Sequence, residues 1–144
     1  MRLPEGLTQV VPMLSYEEVG AAMDWLVRAF GFREQRRLTD AAGNVNHGEL
    51  ALGEGVIMLG RPSVHYQSPR HHREECESAR RWSQVPFVID GVLVHVEDLD
   101  AHLARARSAG ATILSEIEDE PYGRLYNAAD PEGHRWMFMQ VLVD

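Results

Sequence analysis

SYEEVGAAMDWLVRAFG, residues 15–31, is the stretch from which the fold can be read. Ser15 followed three residues later by Glu18 is a capping-box pattern, in which a hydroxyl and a carboxylate satisfy the first free N–H groups of a helix. Behind it Val19, Ala22, Met23, Leu26, Val27 and Phe30 recur at three- and four-residue spacing and form one apolar stripe. Gly31 stands where a left-handed residue ends a helix. The spacing predicts an amphipathic helix with strands around it. TQVVPML before it is rich in β-formers, and REQRRLT after it reads as an exposed strand. DAAGN is a turn, and VNHGELAL and GVIMLG form a hairpin through GEG. The order is β-α-β-β-β.

The same order recurs further along. FVIDGVLVHVED reads as a strand, and Asp98 heads the helix DLDAHLARARSAG, residues 98–110, with Leu99, Leu103 and Ala106 on one face. ATILSEIE is a strand, DEPYG a turn, RLYNAAD a strand, PEG a tight turn and HRWMFMQVLV a last strand. Glu18 and Asp98 lie 80 residues apart, Gly31 and Gly110 lie 79 apart, and Gly55 and Gly133 lie 78 apart. A nearly constant offset across a helix start, a helix stop and a hairpin turn marks an internal duplication. The expected fold is α+β, two tandem βαβββ modules in a single domain over residues 1–144. Module one covers about 8–61, a linker 62–86 and module two about 87–142.

Composition narrows the function. A chain of 144 residues that is 44% hydrophobic can bury one sizeable core. A formal net charge of −8 argues against nucleic acid or an anionic membrane as partner. The single cysteine, Cys76, excludes an intramolecular disulfide and fits a reducing cytoplasm. No apolar run approaches the length of a membrane span.

Four strings together resemble one superfamily. They are VPMLSYEEVGAAMDWLVRAFGF, VNHGELALGEGVIMLG, VHVEDLDAHLARARSAGATIL and EPYGRLYNAADPEGHRWMF, and the resemblance they carry extends over nearly the whole chain except the linker. They are similar to the vicinal oxygen chelate superfamily of glyoxalase I, bleomycin-resistance proteins and extradiol dioxygenases. The resemblance implies that each module rolls its sheet into a half-closed cup. Two cups, from one chain or from the swapped chains of a homodimer, then enclose a small-molecule cavity. The metal-dependent branches place a His on the first strand and a Glu on the last strand of each module. Carried over residue by residue, those places fall on Val11, Met58, Gly91 and Met137. A shift by one residue brings in Pro12, Ile57, Val92 and Trp136. None suits a hard divalent ion. The resemblance therefore implies the branch without the usual metal ligands and a cavity with no cofactor. A divalent Zn, Ni, Fe or Mn ion is the alternative.

His47 and Glu49 alternate on one strand and so share a face, as do His95 and Glu97. His47 and Glu49 resemble the His-x-Glu-Leu that opens the third strand of the metal-free-looking branch. They are the catalytic candidates: two ligands of a metal, or an acid–base pair, since imidazole titrates near neutrality. The plain reading is that His47 only packs at a strand end. Tyr122, Arg124, Tyr126, His134 and Trp136 are the ligand-binding candidates of module two. Tyr126 and Trp136 offer flat amphipathic surfaces, and Arg124 can bind a carboxylate or phosphate through two parallel hydrogen bonds. Each also has a structural reading, Tyr122 and His134 in turns and Trp136 in the core. Met13, Met58, Met137 and Met139 are an adaptable cavity lining or ordinary core.

HHREECESARRW, residues 71–82, spaces His71 from Glu75 and His72 from Cys76 as metal ligands on one helix. It lies in the linker, where it reads as a solvated connector or a lid. The expected function is binding or sequestering a small organic, antibiotic-like molecule. The alternative is a glyoxalase-like lyase or isomerase, or a dioxygenase, built on His47 and Glu49. A third reading is a dimeric interaction module with no remaining ligand.

Overall fold

The computed structural model describes residues 1–85 and 90–142. The chain forms two compact units, Met1–Gln67 and Ser68–Asp144. Each is built on a four-stranded mixed sheet.

In the first unit β1 (Met13–Ser15) leads into α1 (Val19–Phe30), followed by β2 (Arg33–Thr39), β3 (Val45–Leu52) and β4 (Gly55–Gly60). The strands lie in the order β1-β4-β3-β2, with only β1 and β4 parallel. Parallel neighbours need a long crossover, and α1 with β2 and β3 supplies it. The stripe of α1 is the core of this unit: Val19, Met23, Leu26 and Phe30 are buried, and Trp25 meets Phe30 edge-on at 4.9 Å. Removing each such side chain from water contributes about 1.5–3 kcal/mol. Gly31 ends the helix in the left-handed conformation with φ 84°, donating its N–H to the Val27 carbonyl.

The start of α1 differs from the capping-box reading. Glu18 is the N-cap and its side chain makes no cap bond, while Ser15 is the last residue of β1. Ser15 is paired with Gly60 in the ladder, so its backbone is extended three residues before the helix begins.

In the second unit two short helices, α2 (Pro69–Glu75) and α3 (Glu77–Trp82), precede β5 (Gly91–His95). Then come α4 (Leu99–Ser108), β6 (Thr112–Glu120), β7 (Gly123–Ala129) and β8 (Arg135–Val141). The order β5-β8-β7-β6 repeats that of the first unit, again with one parallel pair, β5 with β8. Asp98 caps α4 as its position suggested, accepting from the Ala101 N–H at 3.1 Å. Leu99, Leu103 and Ala106 are its buried face. Phe87, Val88 and Ile89, expected to open the β5 strand, lie outside the described residues.

The duplication extends to the pairing. Met13 faces Met58 across β1 and β4, as Leu93 faces Met137 across β5 and β8. Gly48 faces Leu59, as Tyr126 faces Phe138. Above these positions sit Met23 of α1 and His102 of α4, 79 residues apart.

From Ser68 onward the segment between the modules is built into the second unit. Ser68 caps α2 through the His71 N–H, and the Cys76 sulfur caps α3 through the Ala79 N–H. The first turn of α2 is docked on the turn that follows β7, with the Arg70 N–H donating to the Glu132 carbonyl at 3.0 Å. Gly133 there has φ 91°, and a Cβ would meet the Arg70 backbone, so the turn needs glycine twice over. His71 and Glu75 meet at 2.8 Å as an i, i+4 pair on α2. Among the described residues no helix is long and apolar enough to cross a membrane.

The fit of helix to sheet is tightest at Gly48, where a Cβ would overlap the sulfur of the fully buried Met23. Gly48→Ala should destabilise the protein by about 1–3 kcal/mol, the usual cost of overpacking. Met23→Ala alone should cost about 2–5 kcal/mol, and the double mutant should lose less than the sum of the two, a coupling that chemical denaturation can read.

Candidate functional site

Strand alternation divides each sheet into a face under its helix and a face turned away from it. In the second unit Tyr126 and Phe138 mark the helix face. His102 of α4 lies tilted against Phe138 with ring centres 4.1 Å apart, and its Nδ1 lies 2.6 Å from the Tyr126 hydroxyl. Burial raises the pKa of the Tyr126 phenol above its ordinary value, with a smaller opposing effect from Arg107. Trp136 stacks parallel to Phe138 and donates its indole N–H to Asp130. Arg124 is also on this side, bonded to Asp100 at the start of α4 and to Asp119. That guanidinium, through its hydrogen bond first and its charge second, holds the exposed Asp100 carboxyl below the usual range.

The other face carries Leu93, Asn127, Arg135 and Met137. Leu93 pairs with Met137, and Met137 with Asn127. The Asn127 side-chain amide donates to the Ser115 hydroxyl at 2.9 Å, which fixes both side chains. These residues line an open cleft of about 760 Å³, with Leu114 and Glu118 of β6 on one side and Ser83 and Gln84 after α3 on another. That volume is within the range of sites for drug-sized molecules, roughly 300–1,000 Å³. Arg135 is tied to the rim by a 2.7 Å hydrogen bond to the Ser83 carbonyl.

The structure therefore places the expected ligand residues of module two unevenly. Trp136 lies beneath the cleft but is only 1% exposed, and Tyr126 is 0% exposed under α4. Tyr122 is 56% exposed in the β6–β7 turn. His134 follows the Asp130 turn, donating its N–H to the Asp130 carboxylate at 3.0 Å. Asp130, 4% exposed, also accepts from the Glu132 N–H and the Trp136 indole, so one buried carboxylate organises the turn on which α2 is docked. The cleft residues Leu93, Leu114, Asn127 and Arg135 were not singled out from sequence. Asn127, a polar residue within the strand LYNAA, was the available signal.

In the first unit His47 and Glu49 do share the face turned away from α1. Nε2 of His47 lies 3.5 Å from Oε2 of Glu49, and Arg36 approaches the same oxygen at 3.9 Å. His47, Met13 and Met58 border a smaller cleft of about 200 Å³. On the opposite unit's pattern, His95 likewise pairs with Met139 on the face away from α4.

The positions that would hold a metal can now be read from pairing rather than counting. Counting placed the first-strand positions at Val11 and Gly91. The residues that face Met58 and Met137 are Met13 and Leu93, two further along the same strand direction. The donor set at these places is thioether and hydrocarbon, which does not fit a hard divalent ion that must polarise a substrate oxygen. Among the described residues no group of three or more His, Cys, Asp or Glu side chains is arranged to hold a metal ion.

Known proteins share this sequence pattern and fold. Residues 8–138 match the family model of the Glyoxalase/Bleomycin resistance protein/Dioxygenase superfamily. A Mycobacterium bovis protein of uncharacterised role is 30% identical over 134 residues, covering 90% of this chain and 80% of its own length. TioX from Micromonospora sp. ML1 is 33% identical with a TM-score of 0.67, covering 95% of this chain and 98% of that one. TnmS3, an antibiotic binding protein from Streptomyces sp. CB03234, shares the fold at 19% identity, with a TM-score of 0.63 over 94% and 98% of the two chains.

Tyr126 supplies a test of the helix face. An unfolded tyrosine ionises near its model value of 10.0, while buried Tyr126 keeps its proton to higher pH. Above pH 10 the unfolded state therefore binds fewer protons than the folded one, and stability falls as pH rises. Tyr126→Phe should make that alkaline fall shallower, and should cost about 1 kcal/mol at neutral pH through the lost bond to His102. Denaturation midpoints between pH 7 and 11 measure both; an unchanged alkaline limb would contradict the buried placement.

Proposed function

The chain belongs to the Glyoxalase/Bleomycin resistance protein/Dioxygenase superfamily, and we propose that within it this protein binds or sequesters a small organic molecule without a metal. The observation that carries the reading is the cleft of about 760 Å³ on the second sheet, with an apolar wall of Leu93, Leu114 and Met137 and a few fixed polar groups. That combination suits a planar, antibiotic-like ligand: the apolar wall supplies affinity and the polar groups orientation. The fold it shares with TnmS3, an antibiotic binding protein, supports the reading by analogy of fold alone. The donor chemistry of Met13, Met58, Leu93 and Met137 favours the metal-free form. We place the protein in the cytoplasm as a homodimer. The reducing compartment accords with its single cysteine. Exposed apolar side chains such as Met13, 75% exposed, and Leu93, 49% exposed, favour self-association.

A second reading keeps His47 and Glu49 as the working pair of a glyoxalase-like lyase, isomerase or dioxygenase. Their 3.5 Å approach on the face turned away from α1 is the observation that favours it.

A thermal-shift screen of planar antibiotics and 2-oxo compounds should find ligands; at about 100 times Kd a ligand stabilises by roughly 2.7 kcal/mol. Met137→Trp, which fills the cleft from a part-exposed position, should weaken such a ligand at least about tenfold while the fold persists, since a blocked pocket loses over 1.4 kcal/mol of contact. Binding that survives Met137→Trp would contradict the cleft as the site. The two readings separate on metal content and His47→Ala. Stoichiometric zinc, nickel, iron or manganese in untagged protein, with turnover lost in His47→Ala, would establish the second.

A further inference from the structure

The cleft contains a positive charge that the described residues do not neutralise. Arg135 opens β8 and lines the cleft, with its Nη2 donating to the Ser83 carbonyl at 2.7 Å. No carboxylate among the described residues forms an ion pair with it, in a chain of net charge −8. Arg37, Arg70, Arg107 and Arg124 are all matched with Asp or Glu within 3.2 Å. The charge of another cation, Arg73 of α2, also acts on Arg135, and Arg73 likewise has no carboxylate partner among the described residues. Burial first and Arg73 second pull the Arg135 pKa below the usual arginine value. A half-buried guanidinium beside a like charge is an unfavourable arrangement unless an anion completes it.

The strand register fixes where this charge lies in the cleft. Arg135 pairs with Gly91 and Ala129 at one end. Glu118 pairs with Leu125, which pairs with Met139, four residues further along β8. That is about 13 Å along the strand at the usual rise per residue. Asp90 is on the rim beside Gly91, exposed and not ion-paired with Arg135. Between the two ends Leu93, Leu114 and Met137 present the apolar wall.

We propose that Arg135 forms an anion subsite of the cleft, reinforced by the charge of Arg73, and that the ligand is a planar apolar molecule bearing a carboxylate or a similar oxyanion at that end. Nη2 carries a second N–H besides the one given to Ser83, so one edge of the Arg135 guanidinium, Nη2 with Nε or with Nη1, has no partner among the described residues and suits the paired oxygens of a carboxylate. Glu118 at the far end repels the same anion and sets the direction in which the ligand lies. The inference rests on the reading of the cleft as a ligand site.

The test uses two probes of equal shape and different charge, 2-naphthoate and 2-naphthamide, titrated calorimetrically into the full chain at low salt. The wild type should bind the acid about tenfold or more tighter than the amide, as hydrogen bonds to a charged group exceed those to a neutral one. That advantage should shrink as salt is added. Arg135→Gln should abolish the advantage, read as the ratio of acid to amide affinity within that variant. Arg135→Gln also loses the bond to Ser83, so Arg73→Gln is the second variant; it leaves the lining intact and should reduce the acid's advantage without altering the amide. Equal binding of acid and amide by the wild type, or an advantage retained in both variants, would overturn the anion subsite and leave the cleft as a neutral binding site. If neither probe binds the wild type, both the subsite and the reading of the cleft fall.

Discussion

Each unit lays a single amphipathic helix on a four-stranded sheet, and one helix can make only one face of a sheet into dry core. The remaining features follow from that constraint. Alternation along the strands sends Tyr126 and Phe138 under α4, and Asn127 and Met137 to the other side. In the first unit it sends Gly48 under Met23, and His47 with Glu49 to the other side. The two units solve the same contact differently. In one the helix residue is Met23 and the strand gives way with a glycine; in the other His102 and Tyr126 hydrogen-bond within the core.

The face each helix leaves uncovered is where chemistry can occur, and its residues decide which chemistry. Thioethers and a leucine stand at Met13, Met58, Leu93 and Met137. Such side chains contribute contact area and adaptability rather than Lewis-acid chemistry. Two polar groups of the second cleft are held in place, Asn127 by Ser115 and Arg135 by the Ser83 carbonyl. Ser83 is in place because α2 and α3 are folded onto the second unit. That docking depends in turn on Gly133 and on the three N–H groups gathered by Asp130. A turn that looked like simple punctuation thus supports a wall of the cleft.

The sequence made local features legible and left non-local ones open. The start and buried face of α4 were readable, because Asp98 and the apolar stripe act within one segment, while its end came at Ser108, two residues before Gly110. The duplication was readable because equal offsets need no knowledge of contacts. The cap of α1 was misplaced because Ser15 is held in a strand by Gly60, 45 positions away in the chain. Counting back from a helix start gave Val11 and Gly91, since the loop between strand and helix has no length that sequence fixes; the ladder gives Met13 and Leu93. Periodicity separates the two faces of RLYNAAD but does not tell which one the helix covers, so Tyr126 stood out while Asn127 did not. The charged run HHREECESARRW read as a connector because its anchor, the Asp130–Gly133 turn, is about 60 residues downstream.

Methionine-methyl NMR tests most directly whether the face away from the helix is the binding face. The chain has six methionines, among them Met137 in the second cleft and Met23 in the core of the first unit. Titration with a ligand found by thermal shift should move the Met137 methyl resonance in a saturable manner and leave Met23 in place. A saturable shift of Met23 with Met137 unmoved would show that the ligand acts on the helix-covered core, contrary to the division of faces on which this description of the protein depends.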